Sequence, residues 1–242
     1  MPAASRTLRT FRYALYFNGN TYAVVPHRDV LNFQPGNKIT VMARASITGI
    51  QAFYESALLI DKRSGDGGYR FEYGIGGMGM RVESAGVSPS IVVYFNMNRW
   101  NHFAIVLNGS WLGGYLNGAL RSYRNDVPIS STITNTTNFY IARPPFSGYR
   151  MIGYIHSIHV YTRPLTDKEV SWNYNNPGNP VRDGLVLWLQ ADPQYVKDID
   201  GDGILEWIDL SGFGNHGKIY GAKLVEVIKA PSRILTPARV IS

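Results

Sequence analysis

Asp198, Asp200 and Asp202 crowd three carboxylates into five residues, the densest cluster of chemistry-bearing side chains in the chain. With Gly203, Ile204 and Asp209 they fit a calcium-loop frame, DIDGDGILEWID, with carboxylates at loop positions 1, 3, 5 and 12, glycine at 6 and a backbone carbonyl at 7. Like charges this close repel one another without a cation. The spacing therefore predicts structural Ca²⁺ held by Asp198, Asp200, Asp202, the Ile204 carbonyl and Asp209. Asp209 has a competing use, because it also opens the turn Asp209-Leu210-Ser211-Gly212. Gly212 and Gly214 break any exit helix, so a helix–loop–helix switch is not expected.

A second set of residues suits recognition. Arg143, Phe146 and Tyr149 lie in the loop RPPFSGYR, which its prolines and glycine expose, and Trp111 follows the turn Asn108-Gly109-Ser110. Sugars stack on aromatic faces and arginine donates to hydroxyls, so these four are the candidate ligand contacts, with Phe146 as a cap on a sheet edge the alternative. His156 and His159 have odd spacing on an expected strand, so they point to opposite faces and cannot share a metal. Both are read as structural. The sequons at Asn108 and Asn135 fall in turns that need Asn, Ser and Thr anyway.

Catalytic patterns are scarce. Glu55, Glu72 and Glu83 are scattered singly, and there is no Gly-x-Ser-x-Gly elbow and no phosphate-binding loop. The expectation is no enzyme; a glycoside hydrolase would need carboxylates brought together from distant segments.

Composition limits the partners. Zero cysteines exclude disulfides, thiol catalysis and thiolate metal sites. No stretch reaches the roughly 18 uninterrupted apolar residues of a membrane span, and no signal peptide is visible. Charged residues make up only 17%, more typical of surface and assembly proteins than of metabolic enzymes. Residues 1–178 carry 17 Lys and Arg against 9 Asp and Glu, residues 179–226 carry 4 against 8, and residues 227–242 carry 3 against none. An acidic segment thus follows a basic body, either as a complementary surface or to hold a metal. Arg6, Arg9 and Arg12 form a basic arm over residues 1–12, too few for a phosphate-binding track, so nucleic acid is not an expected partner.

The elements that must position these residues read as strands. Tyr13 to Asn18 and Tyr22 to Pro26 flank Asn18-Gly19-Asn20. Lys38 to Ile47 alternates, with Ile39, Val41, Ala43, Ala45 and Ile47 on one face, as a half-buried strand would. Further short strands follow at 57–60, 69–75, 78–83, 91–95, 102–107, 112–116, 120–123, 139–142 and 152–161. Thr166 and Glu169 have capping-box spacing for a short helix near 166–175. Many strands with turn signals between them predict an all-β, antiparallel two-sheet jelly-roll sandwich.

Three motifs carry a resemblance. The stretch RWNHFAIVLNGSWLGGYLNGAL (99–120), the opening YALYFN…YAVVP and the closing RPLTDKEV (163–170) together resemble the laminin-G-like, concanavalin A-like lectin/glucanase sandwich family over about residues 13–178. The resemblance implies that fold. It does not supply the Glu-x-Asp-x-x-Glu pair of the related laminarinase-like enzymes, which is absent here. Residues 179–242 are out of place: GLVLWL, WIDLSGFGNHG and IYGA resemble the family's opening elements, which normally come first. They read as a fragment of a tandem array, a permutation completing its own sandwich, or a segment completing a neighbour. The dockerin type of calcium loop is also similar to DIDGDG.

Two functions follow from the sequence. The first is a non-catalytic assembly subunit of a virion, filament or cell envelope, forming a homo-oligomer or polymer through the C-terminal segment and N-terminal arm. The alternative is a calcium-dependent carbohydrate-binding adhesion module with glycans as partners. Either places the protein on an extracellular surface or a virion.

Overall fold

The computed structural model describes residues 11–51, 56–64, 67–74, 77–84, 88–128, 135–142, 150–227 and 239–240. Arg6, Arg9, Arg143, Phe146 and Tyr149 lie outside the described residues. In chain order the strands are β1 (Tyr13–Asn18), β2 (Tyr22–Val25), β3 (Lys38–Gln51), β4 (Ser56–Ser64), β5 (Gly67–Gly74), β6 (Gly77–Ser84), β7 (Ser90–Tyr94), β8 (Trp100–Asn108), β9 (Trp111–Leu116), β10 (Ala119–Arg124), β11 (Phe139–Ile141) and β12 (Arg150–Tyr161). Helix α1 (Asp167–Asn175) follows, then β13 (Leu185–Gln190), β14 (Val196–Lys197), β15 (Leu205–Trp207), β16 (Gly217–Tyr220), β17 (Lys223–Glu226) and β18 (Arg239–Val240).

These strands build two antiparallel sheets. The first runs β10-β9-β8-β3-β12-β1-β17-β18, with β13 also on β12; the second runs β14-β15-β16-β2-β11-β4-β5-β6-β7. Between them lies one core, in which Phe17, Val41, Phe71, Phe103, Phe139 and Trp207 are fully buried. The trailing segment is woven into both sheets. β13 pairs β12, β16 pairs β2 and β17 pairs β1, and Leu187, Leu189 and Ile219 join the same core as Leu15 and Phe17. The arm is fastened to this segment, with Val227 N donating to Arg12 O at 2.7 Å and Arg12 Nε to Glu226 Oε1 at 2.6 Å.

Two sequence expectations change. β3 is buried on both faces: Ile39, Val41, Ala43, Ala45 and Ile47 meet the core, while Thr40, Met42, Arg44 and Ser46 are also 8% exposed or less. The reason is a second layer on the outer face of the first sheet, where Met42, Ala104, Val106, Tyr115 and Tyr161 pack against Leu165, Val170, Leu185 and Trp188. Helix α1 belongs to this cover, and its capping box of Thr166 and Glu169 is formed. Glu169 also takes a two-pronged bond from Arg163, at 3.1 and 2.5 Å, which holds its carboxyl down to about 2. The Arg163-to-Glu169 spacing of the closing motif is thus a clamp on the helix start.

His156 and His159 do not face opposite ways. Ile155 and Ile158 both reach the core, so β12 takes up an extra residue between them, and the register against β3 shifts between Ile155 and Ser157. Both imidazoles therefore lie on the outer face. His156 stacks on Phe11 at 4.0 Å and donates through Nδ1 to Tyr13 O at 2.9 Å, and His159 stacks on Trp188 at 6.3 Å.

Candidate functional site

The acidic loop joins β14 to β15, and glycine makes its shape. Gly201 and Gly203 sit at φ +75° and +81°, where an L side chain is strained. Their N–H groups turn onto Asp198, Gly201 N donating to Oδ1 at 2.7 Å and Gly203 N to Oδ2 at 3.0 Å. Asp202 Oδ1 accepts from Ile204 N at 2.7 Å, and Glu206 Oε2 accepts from Ile199 N at 2.9 Å. One oxygen each from Asp198, Asp200 and Glu206 lies within 4.8 Å of the others. Three hard oxygens so placed fit a Ca²⁺ ion in chemistry and position.

Lys218 adds a cation from β16. Its ammonium reaches Asp202 Oδ2 at 3.0 Å, Asp200 Oδ2 at 3.6 Å and Glu206 Oε1 at 3.8 Å. That pairing lowers the Asp202 carboxyl and raises Lys218, both partly exposed. The charge of the loop is thus partly balanced from within.

Asp209 stands elsewhere. Its carboxylate accepts from Trp188 N at 2.9 Å, Ser211 N at 2.9 Å, Ser211 Oγ at 2.7 Å and Asn215 N at 2.9 Å, all in the turn that leads back to β13. The third converging carboxylate is Glu206, at loop position 9. Sequence reasoning missed it, although the alternation Leu205-Glu206-Trp207, with Trp207 buried, already sets Glu206 on the outward face opposite Lys218.

Trp111 is not an open contact. Its ring lies over Gly113, where an added Cβ would come within 2.1 Å of Cη2, and it packs on the covered outer face of the first sheet. Asn135 is likewise buried, its Oδ1 accepting from Lys62 Nζ at 2.9 Å, so that sequon serves a buried network.

The outer face of the second sheet has a different character. Cross-strand register aligns Ser90, Arg81, Arg70, Asp61, Tyr140, Val24, Lys218, Glu206 and Lys197 in one row across all nine strands. Their chain neighbours Tyr69, Phe71, Phe139, Ile141 and Trp207 point into the core, which sends the row outward. Beside it Glu72 bridges Arg70 at 3.1 Å and Arg81 at 3.6 Å, and Arg63 pairs with Asp61 at 2.9 Å. Tyr22 and Tyr220 stack at 4.9 Å with an 18° tilt. The row ends in a cleft of about 340 Å³ lined by Arg28, Asp200, Glu206, Asn215, His216 and Lys218.

An antiparallel two-sheet sandwich with one polar, aromatic outer face defines a lectin-like class. The chain belongs to the concanavalin A-like lectin/glucanase superfamily, whose model matches residues 17–171. No curated protein matches it in sequence. Among solved structures it is similar to a Bacteroides ovatus protein provisionally described as carbohydrate-binding, at 18% identity and TM-score 0.67, over 94% of this chain and 61% of that one. It is also similar to the binding domain of Paraclostridial Mosquitocidal Protein 1, at 14% identity and TM-score 0.58, over 98% and 67%. A third is botulinum neurotoxin type C, whose cell entry depends on interaction with two ganglioside molecules, at 13% identity and TM-score 0.56, over 83% and 46%. At such identities the likeness is one of fold. The chain spans about three-fifths of the Bacteroides ovatus protein.

Proposed function

We propose that the chain is a non-catalytic carbohydrate-binding module that holds glycans along the outer face of its second sheet and acts at a cell or virion surface. The observation that carries this reading is the outward row in which the exposed Arg81 and Lys218 share a register with Tyr140, flanked by Tyr22 and Tyr220. Fixed cations and ring faces in one plane meet the hydroxyls and C–H faces of a sugar. Support also comes from the carbohydrate and ganglioside links of two structural neighbours. Glu72 is committed to two arginines, which suits ligand positioning better than proton transfer. The assembly reading loses its main argument, because the displaced strands pair within their own chain.

Calcium enters as a structural ion at Asp198, Asp200 and Glu206, next to Lys218 and the end of the row. Its chemistry there is charge balance and loop order.

A glycan array probed with the chain in Ca²⁺ and in chelator tests the reading. Binding lost in Tyr220→Ala and Tyr140→Ala supports it; an array without signal in either condition sinks it.

A further inference from the structure

Far from the acidic loop, a cleft of about 370 Å³ opens where the end of β7, at the edge of the second sheet, meets the start of β8 and the β9–β10 turn of the first. That volume is within the ~300–1,000 Å³ range of small-molecule sites. Its lining includes Tyr94, Asn96, Arg99, Trp100, Asn101 and Asn117.

The cleft is rigid before any ligand arrives. Asn98 and Asn117 hold φ at +59° and +53°, conformations that asparagine tolerates better than most residues. Asn98 N donates to Ile47 O at 2.8 Å, and Asn117 exchanges two bonds with the His102 backbone, at 2.8 and 2.9 Å. Asn101 is buried, and its Nδ2 donates to the carbonyls of Asn96 and Arg99 at 3.1 Å each. Trp100 is braced edge-on by Phe11 at 4.6 Å. Tyr94, in contrast, is 79% exposed, and the residue paired with it on β6 is Gly77, so no neighbouring side chain covers the ring from that strand.

Charge narrows the ligand. Among the described lining residues Arg99 is the one charged group, and it makes no ion pair among the described residues. An uncompensated guanidinium beside an open aromatic ring and an exposed asparagine amide matches a pyranose that carries a carboxylate: ring face on Tyr94, carboxylate on the Arg99 fork, hydroxyls on Asn96.

We propose that this cleft is a second saccharide subsite, specific for carboxylate-bearing sugars, with Arg99 as the carboxylate partner. It rests on the glycan reading but sits at β7, the opposite edge of the second sheet from the Lys218 end of the row, so the two separate experimentally.

The test compares methyl glucuronide with methyl glucoside, which differ only in carboxylate for hydroxymethyl, by NMR titration of the full chain. The expected result is tighter binding of the glucuronide, weakened on the order of tenfold by Arg99→Gln and by Tyr94→Ala but unchanged by Lys168→Gln, an exposed cation on α1. Equal loss in Lys168→Gln, or none in Arg99→Gln, overturns the subsite while leaving the glycan reading intact. Inorganic phosphate displacing the glucuronide at equal concentration reduces the cleft to a generic anion contact and also overturns it. Absence of binding by either sugar here, with a positive glycan array, removes the subsite alone; absence in both removes both proposals. Arg99 and Tyr94 are exposed, and an unchanged melting temperature shows that the variants are folded.

Discussion

The outer faces of the two sheets hold similar residue types and treat them in opposite ways. On the first sheet Arg44, His102, His156 and His159 are each 8% exposed or less, beneath Phe11, Tyr174 and Trp188. Among the described residues Arg44 has ring faces and the Tyr174 carbonyl for its charge, and burial lowers it to about 10. On the second sheet Arg70, Arg81, Asp61, Glu72, Lys218 and Glu206 are balanced by partners of opposite sign. Ionisable residues under the first sheet's lid are structural and held neutral where they can be; on the second sheet Asp61 and Glu206 are equally buried but ion-paired, and Arg81 and Lys218, at 38% and 39% exposed, are the ones open to a ligand. Chemistry-capable residue types therefore do not mark a site until their cover is known.

Acid should separate the faces most strongly. Burial and the nearby Arg44 charge push His156 and His159 down to about 3 and His102 well below its ordinary value. Other charges facing them are Arg182, above Trp188; α1 contributes Tyr174, while its Asp167 is engaged by Tyr115. The unfolded chain binds these protons below about 6.5 and the folded chain does not, so stability is full above that pH and falls as pH drops toward 3. Each histidine contributes a slope that rises toward ~1.4 kcal/mol per pH unit, or about 3 kcal/mol for His156 and His159 together between pH 6.5 and 5. Denaturant midpoints that stay level over this range would break the account of the covered face.

Truncation should give the next largest contrast. Met42→Ala under the lid is expected to cost about 2–5 kcal/mol, whereas Tyr140→Ala on the open face should stay within about 0.5 kcal/mol. Similar losses in urea unfolding would mean that the faces do not differ.

The acidic segment divides in the same way. Ca²⁺ at 100 times its dissociation constant should add about 2.7 kcal/mol and raise the melting temperature, a gain that Asp198→Asn removes. Asp209→Asn should lower stability by about 1–3 kcal/mol with or without Ca²⁺, because its carboxylate accepts buried backbone donors. A chelator without effect on the wild type contradicts the ion site. The smallest change in stability belongs to Tyr220→Ala, which should melt like the wild type while losing glycan affinity on the order of tenfold, read by titration with an array-positive oligosaccharide.

The sequence by itself determined the sandwich, because strand alternation, Asn-Gly turns and the Arg163-to-Glu169 clamp are local or short-range features that survive without knowledge of partners. It also located the acidic loop, since glycine spacing and carboxylate spacing are written along the chain. Only the tertiary structure decided which carboxylates converge. The linear frame points to Asp209 at loop position 12, but the pairing of β15 with β16 brings Glu206, three residues earlier, to Lys218, while β13 draws Asp209 into its turn. A single inserted residue in β12 reversed the inferred facing of His156 relative to His159, because strand period is two and one extra residue flips everything beyond it. Cover is the other property that no local pattern carries: whether a strand face is lidded by α1 and Trp188 or left open depends on segments more than a hundred residues away in the chain.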